Sequence, residues 1–212
     1  MYNAILFATN ELLMKKKLVA ATVGLFCALA QAQTDTNPFS LVGSIGFRVG
    51  GGDIPVGKFS NGNTYGLNAG TGGAYSVGVS YALSPKVDLQ ASIGYEGTAK
   101  YYNNGLTVFD RFVPEALAFY NFSDKYRLGA GIRKARNIEL SGAGVESAYA
   151  GQSFKSKPGF VLEGQYVFQP KTADRKVEVA AYTRLVTDRF TSNASSQTIY
   201  ADHIGIGFAF NY

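Results

Sequence analysis

The chain ends in Ile204-Gly-Ile206-Gly-Phe208-Ala-Phe210-Asn-Tyr212, and this segment constrains the fold more than any other. Large apolar side chains at Ile204, Ile206, Phe208, Phe210 and Tyr212 alternate with Gly, Ala or Asn. Strict alternation describes a strand with one apolar face and one small or polar face. A soluble sheet that left such a face bare would offer a ready surface for aggregation. A strand between lipid and the lumen of a closed barrel meets no such penalty.

The start of the chain agrees with export. Met14-Lys15-Lys16-Lys17 precedes an apolar stretch, Leu18–Ala30, and then Gln31-Ala32-Gln33. This is the charged region, apolar core and A-x-A cleavage site of a signal peptide, expected over residues 1–32 with Met14 as a possible true start. The apolar stretch is too short to span a bilayer as a helix, which takes about 20 residues. Cys27 follows Phe26 rather than the small residues of a lipoprotein signal, so no lipid anchor is expected. It is also the one cysteine of the chain, so residues 33–212 offer neither a disulfide nor a thiol.

Removing Lys15, Lys16, Lys17 and Glu11 takes the formal charge from +5 to +3, too mild to suggest nucleic acid. The mean hydropathy of −0.01 is no argument against a membrane, because only alternate residues of a barrel strand face lipid. The 25 Gly discourage helices, while 14 Tyr and 15 Phe suit strands and membrane interfaces.

Alternation predicts eight strands: Leu41–Gly50, Gly73–Leu83, Val87–Gly97, about Val108–Phe122, Tyr126–Lys134, Gly159–Phe168, Lys176–Val186 and about Thr198–Tyr212. The second is the cleanest, with Tyr75, Val77, Val79, Tyr81 and Leu83 opposed to Ala74, Ser76, Gly78, Ser80 and Ala82. The fourth carries aromatics on both faces and contains Pro114, where a bulge is expected. The connections alternate. Long ones at 51–72, 98–106, 135–157 and 187–197 are separated by short ones at Ser84-Pro85-Lys86, Asn121–Lys125 and Gln169–Arg175. Outer-membrane barrels combine short periplasmic turns with longer outer loops in this way.

Signal peptide, eight strands, alternating loop lengths and aromatic final strand together resemble the small outer-membrane barrels of the OmpA/OmpX type. The resemblance spans about Asn37–Tyr212 and is one of architecture. It implies an all-β, eight-stranded antiparallel up-and-down transmembrane barrel over residues 33–212 in a Gram-negative outer membrane. It further implies a monomer in contact with outer-membrane lipid and lipopolysaccharide. The terminal residues Ile204, Ile206, Phe208, Phe210 and Tyr212 would be the signal read by the barrel-assembly machinery.

The polar faces carry Arg48, Glu96, Arg127, Arg133, Glu163, Glu178 and Arg184, with Glu115 on the ambiguous fourth strand. Turned inward, they would meet in a lumen just wide enough for side chains. Buried charges must pair, so a charge-filled lumen is expected. The role this suggests is structural or surface-interacting, with binding specificity in the long loops. A narrow small-solute channel is the alternative, and a lipid-modifying enzyme a more remote one.

His203 is the single histidine, beside Asp202 and near Ser195 and Ser196. Asp202 and His203 fall on opposite faces of one strand, so no catalytic set is expected. No metal and no cofactor is expected either. Gly52-Asp-Ile-Pro-Val-Gly57-Lys58-Phe59 nearly matches a phosphate-binding loop but has Phe59 where Ser or Thr must hold the metal. Tyr101, Tyr102, Tyr149, Phe154 and Phe190 lie near Lys100, Lys155, Lys157 and Arg189. They read either as a surface for an extracellular ligand or lipopolysaccharide phosphates, or as an aromatic girdle.

Overall fold

Gly-rich alternation leaves the chain few options but pairing strand to strand, and the computed structural model pairs it almost throughout. It describes residues 38–58, 64–102, 105–144, 151–170, 172 and 176–212. The expected signal peptide, with Met14 and Cys27, lies outside the described residues, as do Phe59 and Tyr149. The strands are β1 (Phe39–Gly50), β2 (Asp53–Lys58), β3 (Thr64–Asn68), β4 (Gly72–Ser84), β5 (Val87–Tyr102), β6 (Gly105–Asn121) and β7 (Tyr126–Arg133). They continue with β8 (Arg136–Gly144), β9 (Gln152–Ser156), β10 (Gly159–Gln169), β11 (Glu178–Thr187), β12 (Arg189–Ser192), β13 (Thr198–Tyr200) and β14 (His203–Asn211).

Eight of them form a closed antiparallel wall in the order β1, β4, β5, β6, β7, β10, β11, β14. The wall closes where β14 pairs β1, from Val42↔Asn211 to Gly50↔His203. Leu41 and Tyr212 add a reciprocal pair of backbone hydrogen bonds of 3.1 and 2.8 Å. Closure removes the free edges that an open sheet would leave.

Pro114 does not interrupt β6. The ladder to β5 runs through Ile93↔Pro114 without a shift. Thr107, Phe109, Arg111, Val113, Leu117 and Phe119 all turn inward, so one parity holds along the strand. The irregularity falls on the other side of β6, where Lys134 and Ala135 separate β7 from β8 and the Lys134 N–H is given to the Pro114 carbonyl at 3.1 Å. A proline fits there because its missing N–H removes only one rung of the ladder.

The long connections are themselves strands rather than open loops. β8, β9, β12 and β13 extend the wall beyond the breaks at 134–135, 157–158, 188 and 201–202. The expected eighth strand is therefore two, β13 and β14, divided at Ala201 and Asp202. β2 and β3 form a separate hairpin, and the near-match to a phosphate-binding loop is simply β2. The short turns and both ends of the wall share the opposite rim.

Candidate functional site: a filled lumen and its cap

Period-two alternation sends every second side chain into the lumen. In its upper half, Glu96 on β5 accepts three guanidinium groups: Arg48 at 2.6 Å, Arg111 at 2.8 Å and Arg133 at 2.7 Å. Arg133 also faces Asp188 at 3.4 Å and Glu115 at 3.6 Å, and Arg111 faces Asp188 at 3.7 Å. Arg184 joins Glu115 at 3.4 Å and hydrogen-bonds Glu163, which also accepts the Gln165 amide at 2.7 Å. Four arginines and four carboxylates thus form one connected, charge-balanced set, which is the arrangement that makes buried charge tolerable. Nearer the short-turn rim, Arg127 and Glu178 make a separate pair of 2.6 Å.

Arg111, Asp188 and His203 belong to this cluster although sequence reasoning did not assign them to the lumen. Arg111 shares its face with Glu115 four residues on, a parity hidden by the supposed bulge at Pro114. Asp188 continues the inward face of Glu178, Tyr182 and Arg184 into what reads as a loop.

A cap lies over the network. Ile54, Val56, Leu67 and Ala69 of the β2–β3 hairpin pack with Phe109, Val113, Ala135, Ile138, Leu140, Phe154, Phe190, Ile199 and Ala201 in one buried apolar cluster. Phe154 and Phe190 are therefore core residues, not part of an exposed aromatic surface. Tyr101, by contrast, is exposed. The hairpin enters through Gly50–Gly52 and leaves through Ala69–Gly72, and Ala69 donates to the Gly52 carbonyl at 3.0 Å. Gly51 has φ = +82° and its missing Cβ makes room for the Gly70 backbone, so another residue there would be both strained and crowded.

Arg111 joins cap to network. Its Nη1 donates to the Ala69 carbonyl at 2.7 Å, while its guanidinium lies 4.9 Å from the Phe190 ring centre and 5.7 Å from that of Phe109. Little space remains among these side chains. Two cavities lined by lumen residues measure about 30 and 20 Å³, each room for roughly one water.

Glu96, Asp188 and His203 each bring one ligand atom to within 4.8 Å of the others, a geometry compatible with a metal ion. The two carboxylates are already held by Arg48, Arg111 and Arg133, and a divalent cation would enter among those three positive charges. His203 Nδ1 faces the Ala201 carbonyl at 2.8 Å. Asp202 points outward, where its carboxylate accepts the Asp188 N–H at 3.0 Å. Ser195 and Ser196 stand at the far end of the β12–β13 hairpin, with β13 between them and His203.

The outside of the wall has the opposite character. Ile45, Phe47, Ile93, Leu128, Ile132, Phe160, Leu162, Leu185, Ile204, Ile206 and Phe208 are all exposed, with Phe160 at 68% and Ile206 at 61%. Phe210 and Tyr212 lie on the same face of the last strand, partly covered. A continuous apolar belt around a closed wall is a surface made for lipid. This is a transmembrane barrel.

No family model matches the sequence, and no curated protein matches it. Among solved structures, AlkL in DMPC lipid bilayers is similar at 9% identity and TM-score 0.47, covering 85% of this chain and 93% of that one. Ail, the attachment invasion locus protein of Yersinia pestis, is similar at 10% identity and TM-score 0.43, covering 82% and 97%. OprG from Pseudomonas aeruginosa stands at 14% identity and TM-score 0.42, covering 83% and 97%. The barrel assignment itself rests on the strand pairing and the apolar belt described above.

Proposed function

We propose that the protein is a monomeric barrel of the bacterial outer membrane with a structural or surface-interacting role, a lumen closed to solutes, and any binding specificity in its outer hairpins. The observation that carries this reading is the balanced ion network beneath an apolar cap. Either layer alone obstructs passage, and opening the lower one requires separating charges in a confined, weakly hydrated space. In planar bilayers the purified protein is expected to give no discrete conductance steps. Regular unitary steps would support the second reading, a narrow channel. That reading draws on the partial exposure of the Arg184 and Arg127 side chains, 12% and 16%, which marks the lower lumen as less tightly sealed. In a channel, Glu163→Gln or Arg133→Gln would alter the step size.

The proposal includes no catalysis. His203 is packed among arginines and carboxylates, with β13 between it and Ser195 and Ser196.

Assembly is proposed to depend on the last strand, because β14 both closes the wall against β1 and presents Ile204, Ile206, Phe208, Phe210 and Tyr212 outward. Phe210→Asp places a charge on the outward face of the strand that closes the wall, within the residues proposed as the assembly signal. It is expected to reduce the heat-shifted, folded band in the membrane fraction to a small part of the wild-type amount. Undiminished levels of that band would refute the assignment.

A further inference from the structure

The outer surface is not an even cylinder. Just below the line of breaks at 134–135, 157–158, 188 and 201–202, a cleft of about 880 Å³ runs across β7, β10, β11, β14 and the end of β1. Its apolar lining includes Val49, Ile132, Phe160, Leu162, Leu185 and Ile204, all exposed. Cations stand across the breaks, in the segments next along the chain from the cleft strands. Arg189 opens β12 two residues beyond Thr187 of the cleft, and Lys157 lies three residues before Phe160. At about 3.3 Å per residue along the chain, Lys157 lies roughly 10 Å from Phe160 and Arg189 roughly 13 Å from Leu185.

The register gathers the positive charges. The Lys157 N–H donates to the Arg189 carbonyl at 3.1 Å, and Lys155 lies opposite Thr191, two residues beyond Arg189. Lys155, Lys157 and Arg189 are exposed, and among the described residues none of the three forms an ion pair. Arg189 lies 5.0 Å from the ring centre of Tyr200, itself exposed on β13, which holds the guanidinium against the outer face. Two exposed carboxylates border the patch: Asp202, which accepts the Asp188 N–H, and Glu139, whose rung with Ser153 lies two residues from Lys155.

An apolar cleft below and a cationic patch above match a molecule with acyl chains below and phosphate above. We infer that this face is a binding site for a phosphate-bearing lipid of the outer leaflet, its chains lying against Phe160, Leu162, Leu185 and Ile204 and its phosphate meeting Lys155, Lys157 and Arg189. The inference rests on the proposed membrane orientation, which places the long hairpins and therefore the cations at the outer interface. Cations beside a membrane attract anionic lipid headgroups, and the attraction grows with each added charge. Several cations on one patch thus distinguish this face from the rest of the belt.

The test uses the full-length refolded barrel in detergent, titrated with bis-phosphorylated lipid A and, separately, with the same lipid after removal of its phosphates. Native mass spectrometry reads the bound fraction. Lys157→Glu combined with Arg189→Glu is expected to weaken binding of the phosphorylated lipid by roughly tenfold or more while leaving the dephosphorylated lipid unaffected. The milder pair Lys157→Gln and Arg189→Gln serves should the reversal fail to fold. Equal binding of phosphorylated lipid by wild type and folded variant would overturn the site, as would equal loss for both lipids. Failure of the wild type to give a heat-shifted band in detergent would instead defeat the barrel reading, so the two failures are distinct.

Discussion

Glu96→Ala is expected to lower the stability of the folded barrel by about 3–5 kcal/mol, the range for removing one partner of a buried ion pair. The reason is its position. Its two oxygens face Arg48, Arg111 and Arg133, whose side chains are 0–3% exposed. Deleting the carboxylate leaves three guanidiniums with Asp188 and Glu115 as the remaining compensation, at 3.4 Å or more. Glu178→Ala supplies the comparison, because Arg127 can turn to the water that already reaches it. Its effect is expected to be nearer 1 kcal/mol. Urea unfolding in detergent, followed by the gel shift, measures both. Equal losses for the two variants would show that the upper network is as wet as the lower pair.

Ile54→Ala is expected to release the cap without unfolding the wall. Truncating a buried Ile costs about 2–5 kcal/mol, and Ile54 is 2% exposed in the cluster shared with Phe109, Phe154 and Phe190. A lone two-stranded hairpin has marginal stability of its own, and β2–β3 forms a sheet separate from the barrel. The loss should therefore appear as local opening. A thiol introduced as Leu67→Cys, at a buried position, reports it directly. In the otherwise unchanged chain it should react at least about tenfold more slowly than Asn68→Cys at the exposed neighbour. Ile54→Ala should erase most of that difference while the heat-shifted band persists. A protected Leu67→Cys in the Ile54→Ala background would mean that the hairpin is held chiefly by its backbone ties to Gly52, Tyr200 and Arg111.

The wall was legible because lipid on one side and packed side chains on the other impose the same period-two rule on every strand. Tyr75 to Leu83 and Ile204 to Tyr212 announce their faces without help from distant residues. The cap was not legible. Ile54, Val56 and Leu67 gain their meaning only from Phe109, Phe154 and Phe190, far away in the chain, and read locally as an ordinary turn-rich segment. The charged face was legible to the extent that parity could be followed. Arg111 was missed because Pro114 appeared to break the alternation, and Asp188 because its strand passes a break before continuing.

The seam between β1 and β14 has a consequence in time. During synthesis the outer edge of β1 is finished early, yet its partner β14 follows all the other strands in the chain. No partial chain can close the cylinder, and every intermediate keeps an unpaired edge bordered by bare Ile, Phe and Tyr. Such a chain must be kept apart from its own copies until β14 arrives. Closure of the wall is then a single event that waits on β14 rather than one shared among the earlier strands.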